Sequence, residues 1–112
     1  MLIFKIFRPT EWHVLHAQGA TDGAPIDVAD GYIHFSTAAQ IAETAAKHFA
    51  DAGDLMVLAL DSDKLGTDLK WEPSRGDQLF PHLYRQMRLA DVLWARSFPQ
   101  GEGGHILPEG IE

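Results

Sequence analysis

No cysteine occurs in the chain. That excludes disulfides, thiolate zinc sites and cysteine nucleophiles together, and it suits a reducing cytoplasm. No apolar run approaches the ~20 residues that a membrane-spanning helix needs, so no membrane partner is expected. The opening Met1–Arg8 does not read as a signal peptide, because Lys5 interrupts a short apolar stretch and no small-residue cleavage site follows. Basic residues are few, 9 against 16 acidic ones, for a net charge of −7. Such a balance argues against broad binding to nucleic-acid backbone. GxGxxG and GxxxxGK[ST] loops are missing, which removes the Rossmann and P-loop readings. Ser36 and Ser74 lack a GxSxG elbow, so a serine hydrolase is not expected.

What is present suffices for one core. The 112 residues are 46% hydrophobic, and a chain of this size buries roughly two-thirds of its unfolded surface without metal or disulfide staples. Residues 1–98 read as one domain, followed by an irregular glycine- and proline-rich tail over 99–112.

Hydrophobic patterning orders the elements. Leu2–Phe7 predicts a strand that stops before Pro9. Thr10 predicts a helix cap, Trp12, Leu15 and His16 share one helical face, and Gly19 ends the helix. Ala20–Asp30, rich in glycine and aspartate, predicts a loop. Gly31–Phe35 predicts a short strand with Tyr32, His34 and Ser36 on one side and Ile33 and Phe35 on the other. A second helix is expected to start at Ser36 or Thr37, with Gln40 at capping-box spacing, and to run to about Ala50. Leu55–Leu60 is apolar throughout and predicts a central strand buried on both faces. Leu69–Glu72, Phe80–Tyr84 and Ala90–Phe98 predict further extended segments. Two early helices and a strand-rich second half favour an α+β fold over a doubly wound sheet.

Two groups of residues can carry chemistry. His34 is one, with Ser36 and Thr37 behind it at an expected helix N-terminus, where free N–H groups favour anions. The same residues equally serve as a structural histidine followed by caps. The other is Trp71, Glu72 and Arg75 followed by His82 and Tyr84, where aromatics frame a few polar groups as in a small-molecule pocket. It competes with an edge segment carrying a surface Glu72–Arg75 ion pair. His34, His82 and Glu72 could also supply metal ligands, although no HxH or HExxH spacing supports this. His13, His16 and His48 read as packing or surface residues, and His105 as exposed.

Four segments together resemble the DUF952 family of small uncharacterised bacterial proteins: Ile3-Phe4-Lys5-Ile6, Asp30–Thr37 with Gln40 after it, Leu69-Lys70-Trp71-Glu72, and Phe80-Pro81-His82-Leu83-Tyr84. The resemblance spans residues 2 to about 98. More remotely, this family is similar to the ADP-ribosyltransferase superfamily. That similarity implies a curved or split, mainly antiparallel sheet flanked by helices, with a cleft for NAD. Lys5, then Tyr32–Thr37, then Glu72 or His82 follow in a comparable order. The implied function is binding of NAD, ADP-ribose or a phosphorylated nucleotide, with transfer or hydrolysis at the ribose. His34, His82 and Glu72 would act at the ribose. Lys5, Tyr32, Ser36, Thr37, Trp71, Arg75 and Tyr84 would hold the ligand. A non-catalytic small-ligand module and a metal-dependent hydrolase are the competing functions.

Overall fold

A computed structural model describes residues 1–111, and at Arg75 the backbone alone. Strand β1 (Leu2–Phe7) is followed by α1 (Pro9–Gln18), β2 (Ala20–Thr21), α2 (Pro25–Asp30), β3 (Ile33–His34) and α3 (Ile41–His48). The strand-rich half holds β4 (Leu55–Asp61), β5 (Leu69–Pro73), β6 (Leu79–Leu83), β7 (Met87–Arg88) and β8 (Val92–Phe98), then β9 (Gln100–Gly101) and β10 (Gly104–His105). Every strand pairing among the described residues is antiparallel. The fold is α+β, with separate three-stranded sheets ordered β1-β4-β8 and β3-β6-β5.

The apolar run of β4 occupies the centre of the first sheet, and its alternation feeds two cores. Leu58 and Leu60 join Ile3, Phe7 and Leu15 on one face, where Ile33, Phe35 and Leu83 of the second sheet pack. Val57 and Ala59 join Phe4, Ile6, Ile41, Ala45 and Phe98 on the other, under α3. Strand alternation also places Lys5 on the Ile3 and Phe7 side of β1, where it is buried at 5% exposure.

Local chemistry moved several boundaries. Thr10 is not the cap of α1. Pro9 stands at the first helical position, where its fixed φ and missing N–H cost nothing, and the Glu11 carboxylate accepts the Arg8 N–H at 2.8 Å. The expected loop Ala20–Asp30 contains β2 and the short helix α2. Pro25 again opens that helix, Asp27 Oδ2 accepts the Ala24 N–H at 2.7 Å, and Gly31 closes it at φ 85°. The helix expected from Ser36 or Thr37 begins only at Ile41. Gln40 makes the expected capping-box contact, accepting the Thr37 N–H at 3.0 Å, and its amide also donates to the Leu79 carbonyl at 2.9 Å. The stretch 99–112 is not wholly irregular, because β9 and β10 form a hairpin. Its His105 is half-buried against Phe98, and donates to the Gly53 carbonyl at 2.7 Å rather than standing in solvent.

Candidate functional site

His34 and His82 are direct cross-strand neighbours in the β3–β6 pairing. Opposed residues of an antiparallel pair lie ~4.5–5.5 Å apart at Cβ, and the two rings sit edge to face with centroids 5.4 Å apart. Tyr32 joins them, 4.7 Å from His34 and 4.2 Å from His82, with Tyr84 5.2 Å away on its far side. The alternation that turns Ile33 and Phe35 inward turns Tyr32 and His34 to this side, as expected from the sequence.

Each imidazole is held by its own acidic side chain. His34 Nδ1 lies 2.6 Å from Asp27 Oδ1, which also accepts the His34 backbone N–H at 3.0 Å. The second oxygen of Asp27 meets Lys5 Nζ at 2.7 Å, and that ammonium also donates to the His34 carbonyl at 3.0 Å. Burial alone would push the Asp27 carboxyl up, but the His34 hydrogen bond and the Lys5 charge override it and hold the group at about 2. Burial pushes Lys5 below the usual lysine range, opposed by the adjacent carboxylate. The other ring nitrogen of His34, Nε2, lies 2.9 Å from Asp30 Oδ2.

His82 is more enclosed. Its Nδ1 lies 2.9 Å from Glu72 Oε1, and the same oxygen accepts the Tyr84 hydroxyl at 2.6 Å. Burial pulls the His82 ring below its ordinary range, and the Glu72 bond only partly offsets this. The Tyr84 and His82 hydrogen bonds hold Glu72 below the usual carboxylate range. The Glu72 bond in turn pushes the Tyr84 phenol up to about 12. Tyr32 is also raised, by burial and by the charges of Asp30 and Glu72. A neutral His82 donating Nδ1–H to Glu72 keeps Nε2 as an acceptor, the arrangement a general base requires.

Both histidines line a cleft of about 1040 Å³ that follows β1 toward α3. Its walls are largely apolar, with Phe4, Phe35, Phe49 and Phe80 prominent, and Ser36 and Arg8 add polar groups. Ser36 is tied to the β1 edge through reciprocal backbone bonds with Phe4, and its hydroxyl lies 3.0 Å from that of Thr44.

The structure therefore brings His34, His82, Glu72, Tyr32 and Tyr84 into one group, with Lys5 and Ser36 at the adjoining wall. It does not bring Trp71 there. Alternation along β5 sends Trp71 to the opposite face from Glu72, where it is 39% exposed. Thr37 is buried, and its N–H is already taken by Gln40. Lys5 is committed to Asp27 and to a backbone carbonyl. The Arg75 side chain lies outside the described residues. No cluster of three or more His, Cys, Asp or Glu among the described residues is arranged to hold a metal, and the Nδ1 atoms of His34 and His82 both face carboxylates. Sequence reasoning missed Asp27 and its neighbour Asp30. The available signal was Ala24-Pro25-Ile26-Asp27, a proline at the first helical position with an acid two residues later.

Comparison with known proteins places the chain in the DUF952 family, proteins of unknown function, which residues 6–95 match. It is similar to protein CC0527 from Caulobacter crescentus. The crystal structure of that protein shares 43% identity at a TM-score of 0.90, covering 94% of this chain and 92% of the other. Its solution NMR structure gives 43% identity and a TM-score of 0.83, with 93% and 90% covered. No curated protein matches the chain. Among the described residues, no helix is long and apolar enough to cross a membrane.

Proposed function

We propose that this DUF952 protein binds a ribose-bearing nucleotide, NAD or ADP-ribose among the candidates, and acts at the ribose as a transferase or hydrolase. One observation carries the reading. Two imidazoles 5.4 Å apart, each braced by a carboxylate, stand together in the wall of a cleft of about 1040 Å³. That volume is at the upper end of small-ligand sites, ~300–1,000 Å³, and suits a ligand of nucleotide size. The aromatic walls offer stacking surfaces for a base. The histidine pair, with Ser36 and Asp30 beside it, offers the polar contacts that a sugar requires. The split antiparallel sheets with flanking helices agree with the remote resemblance to ADP-ribosyltransferases. Lys5 and Thr37 take supporting roles in this reading, since the Lys5 ammonium and the Thr37 N–H already have partners.

Titration calorimetry with NAD and ADP-ribose at millimolar concentration tests it. Binding heat that weakens in His34→Ala is the expected result, and no heat with any nucleotide refutes it. Binding without turnover is a second reading, favoured by Asp30, whose carboxylate occupies Nε2 of His34 at 2.9 Å. Proton NMR of the nucleotide with the protein separates the two. New ribose or released-base resonances mean turnover, and an unchanged spectrum means a binding module.

A further inference from the structure

We propose that His34 is the proton donor and His82 the proton acceptor of one acid–base pair, with Asp27 and Glu72 as positioning residues. The inference rests on the reading above and deepens it by dividing the roles. It follows from what each ring nitrogen faces. Both nitrogens of His34 lie against carboxylate oxygens, 2.6 Å from Asp27 and 2.9 Å from Asp30. A carboxylate only accepts, so both contacts are satisfied together only by a ring with an N–H on each nitrogen. His82 differs. One nitrogen faces Glu72 at 2.9 Å, and the other has no hydrogen-bond partner among the described residues. The Glu72 oxygen is shared with the Tyr84 hydroxyl, which fixes its position.

The surroundings of the two rings differ in the same sense. Around His34 stand Asp27 and Asp30 from α2, Tyr32 just before β3, His82 across the sheet, and Lys5 of β1 at its carbonyl. Around His82 stand Glu72 of β5, Tyr32 and His34, with the Asp30 charge also acting on the ring. Two carboxylates contact the first ring within hydrogen-bond distance and one contacts the second. The second is the more enclosed, at 4% side-chain exposure against 31%. A charge on one ring also opposes a charge on the other at this separation, so the pair favours one charged and one neutral member. Environments that drive two neighbouring titratable groups apart are how acid and base roles are divided.

The step such a pair serves is balanced. His82 Nε2 takes the proton of a ribose hydroxyl or of water, and that oxygen bonds to the phosphorus or anomeric carbon under attack. The bond from that atom to its leaving oxygen breaks with the electron pair, and His34 supplies the proton that this oxygen gains. With NAD the leaving group is the nicotinamide nitrogen, which departs neutral and takes no proton, so the divided pair serves ADP-ribose or a phosphorylated nucleotide. Asp30 releases Nε2 of His34 when substrate enters, which its 39% exposure permits.

Long-range proton–nitrogen correlation spectra of the labelled full-length chain read the state of each ring directly and need no ligand. The contacts lead to an expected N–H on each nitrogen of His34, and one on His82 carried by Nδ1. Asp30→Asn, at an exposed position, moves His34 toward a single proton. Glu72→Ala lets His82 populate both tautomers, an outcome that loss of packing alone does not give. Asp27→Glu retains the charged His34 state if it folds, and Asp30→Asn decides the point if it does not. Two rings in the same state, or a proton on Nε2 of His82, overturns the assignment. Because these states are read in the free protein, the division of roles and the nucleotide reading fail independently.

Discussion

Replacing Asp27 with asparagine removes the only carboxylate within hydrogen-bond reach of the Lys5 ammonium among the described residues. Both groups are nearly inaccessible, with side-chain exposures of 6% and 0%. Asparagine keeps one acceptor oxygen where Asp27 uses two, Oδ2 for the Ala24 N–H and Oδ1 for the His34 N–H, so one backbone N–H loses its partner along with the charge. Breaking a buried pair by removing one partner costs about 3–5 kcal/mol, because the remaining charge stays buried and unpaired. Against a typical stability of ~5–15 kcal/mol for a domain this is a large fraction. The Asp27 carboxyl falls from its ordinary 3.8 to about 2 on folding, and at ~1.36 kcal/mol per unit this contributes about 2–3 kcal/mol. The folded-state value is depressed. The contribution is therefore fully present above about 3.8 and is lost as pH falls toward about 2. Urea denaturation between neutral pH and pH ~2 measures both quantities, since such transitions give stability directly in small domains. Asp27→Asn is expected to lose about 3–5 kcal/mol at neutral pH and to show a shallower acid decline than the parent chain. Adding Lys5→Met, which removes the stranded charge, is expected to recover at least ~1 kcal/mol. An Asp27→Asn chain of parental stability, or a double variant less stable than the single one, refutes the paired-charge account.

Three other outcomes follow from the same structure. Leu58→Ala, in the central strand, is expected to cost about 2–5 kcal/mol by denaturant titration, because its side chain is wholly enclosed between sheet and helix. Ultraviolet titration of the phenols is expected to show neither tyrosine ionising at the ordinary 10, with Tyr84 near 12, and Glu72→Ala is expected to bring Tyr84 down. Gly31→Ala places a side chain at φ 85°. A cost of about 1–2 kcal/mol is expected from this left-handed strain, with faster amide exchange in α2, the helix that carries Asp27 and Asp30.

Long apolar patterns in the sequence read directly into the fold. Leu2–Phe7 and Leu55–Leu60 announced themselves by composition, and alternation in Tyr32–Phe35 gave His34 its direction correctly. Phe80–Tyr84 put His82 and Tyr84 on one face, where both meet Glu72. Short elements fixed by single contacts were not legible. The helix α2 has six residues, too few for a hydrophobic period, and depends on Pro25 at its start and Gly31 at its end. Asp27 was hidden within it, although that carboxylate binds the most partners in the site. Its importance comes from Lys5, a residue 22 positions earlier that strand alternation turns inward. The Thr37–Gln40 capping-box contact was legible, but a turn intervenes after Thr37 and the regular helix starts only at Ile41. The hairpin after Phe98 was missed because its glycines allow a turn as readily as a mobile tail.

Chemical-shift mapping of ADP-ribose on the isotopically labelled chain tests the central claim most directly. The account predicts shifts that grow with ligand concentration and concentrate on Phe4, His34, Ser36, Phe80 and His82, the residues that line the cleft. Unmoved resonances there at millimolar ADP-ribose, or shifts confined to the Trp71 face, would contradict it.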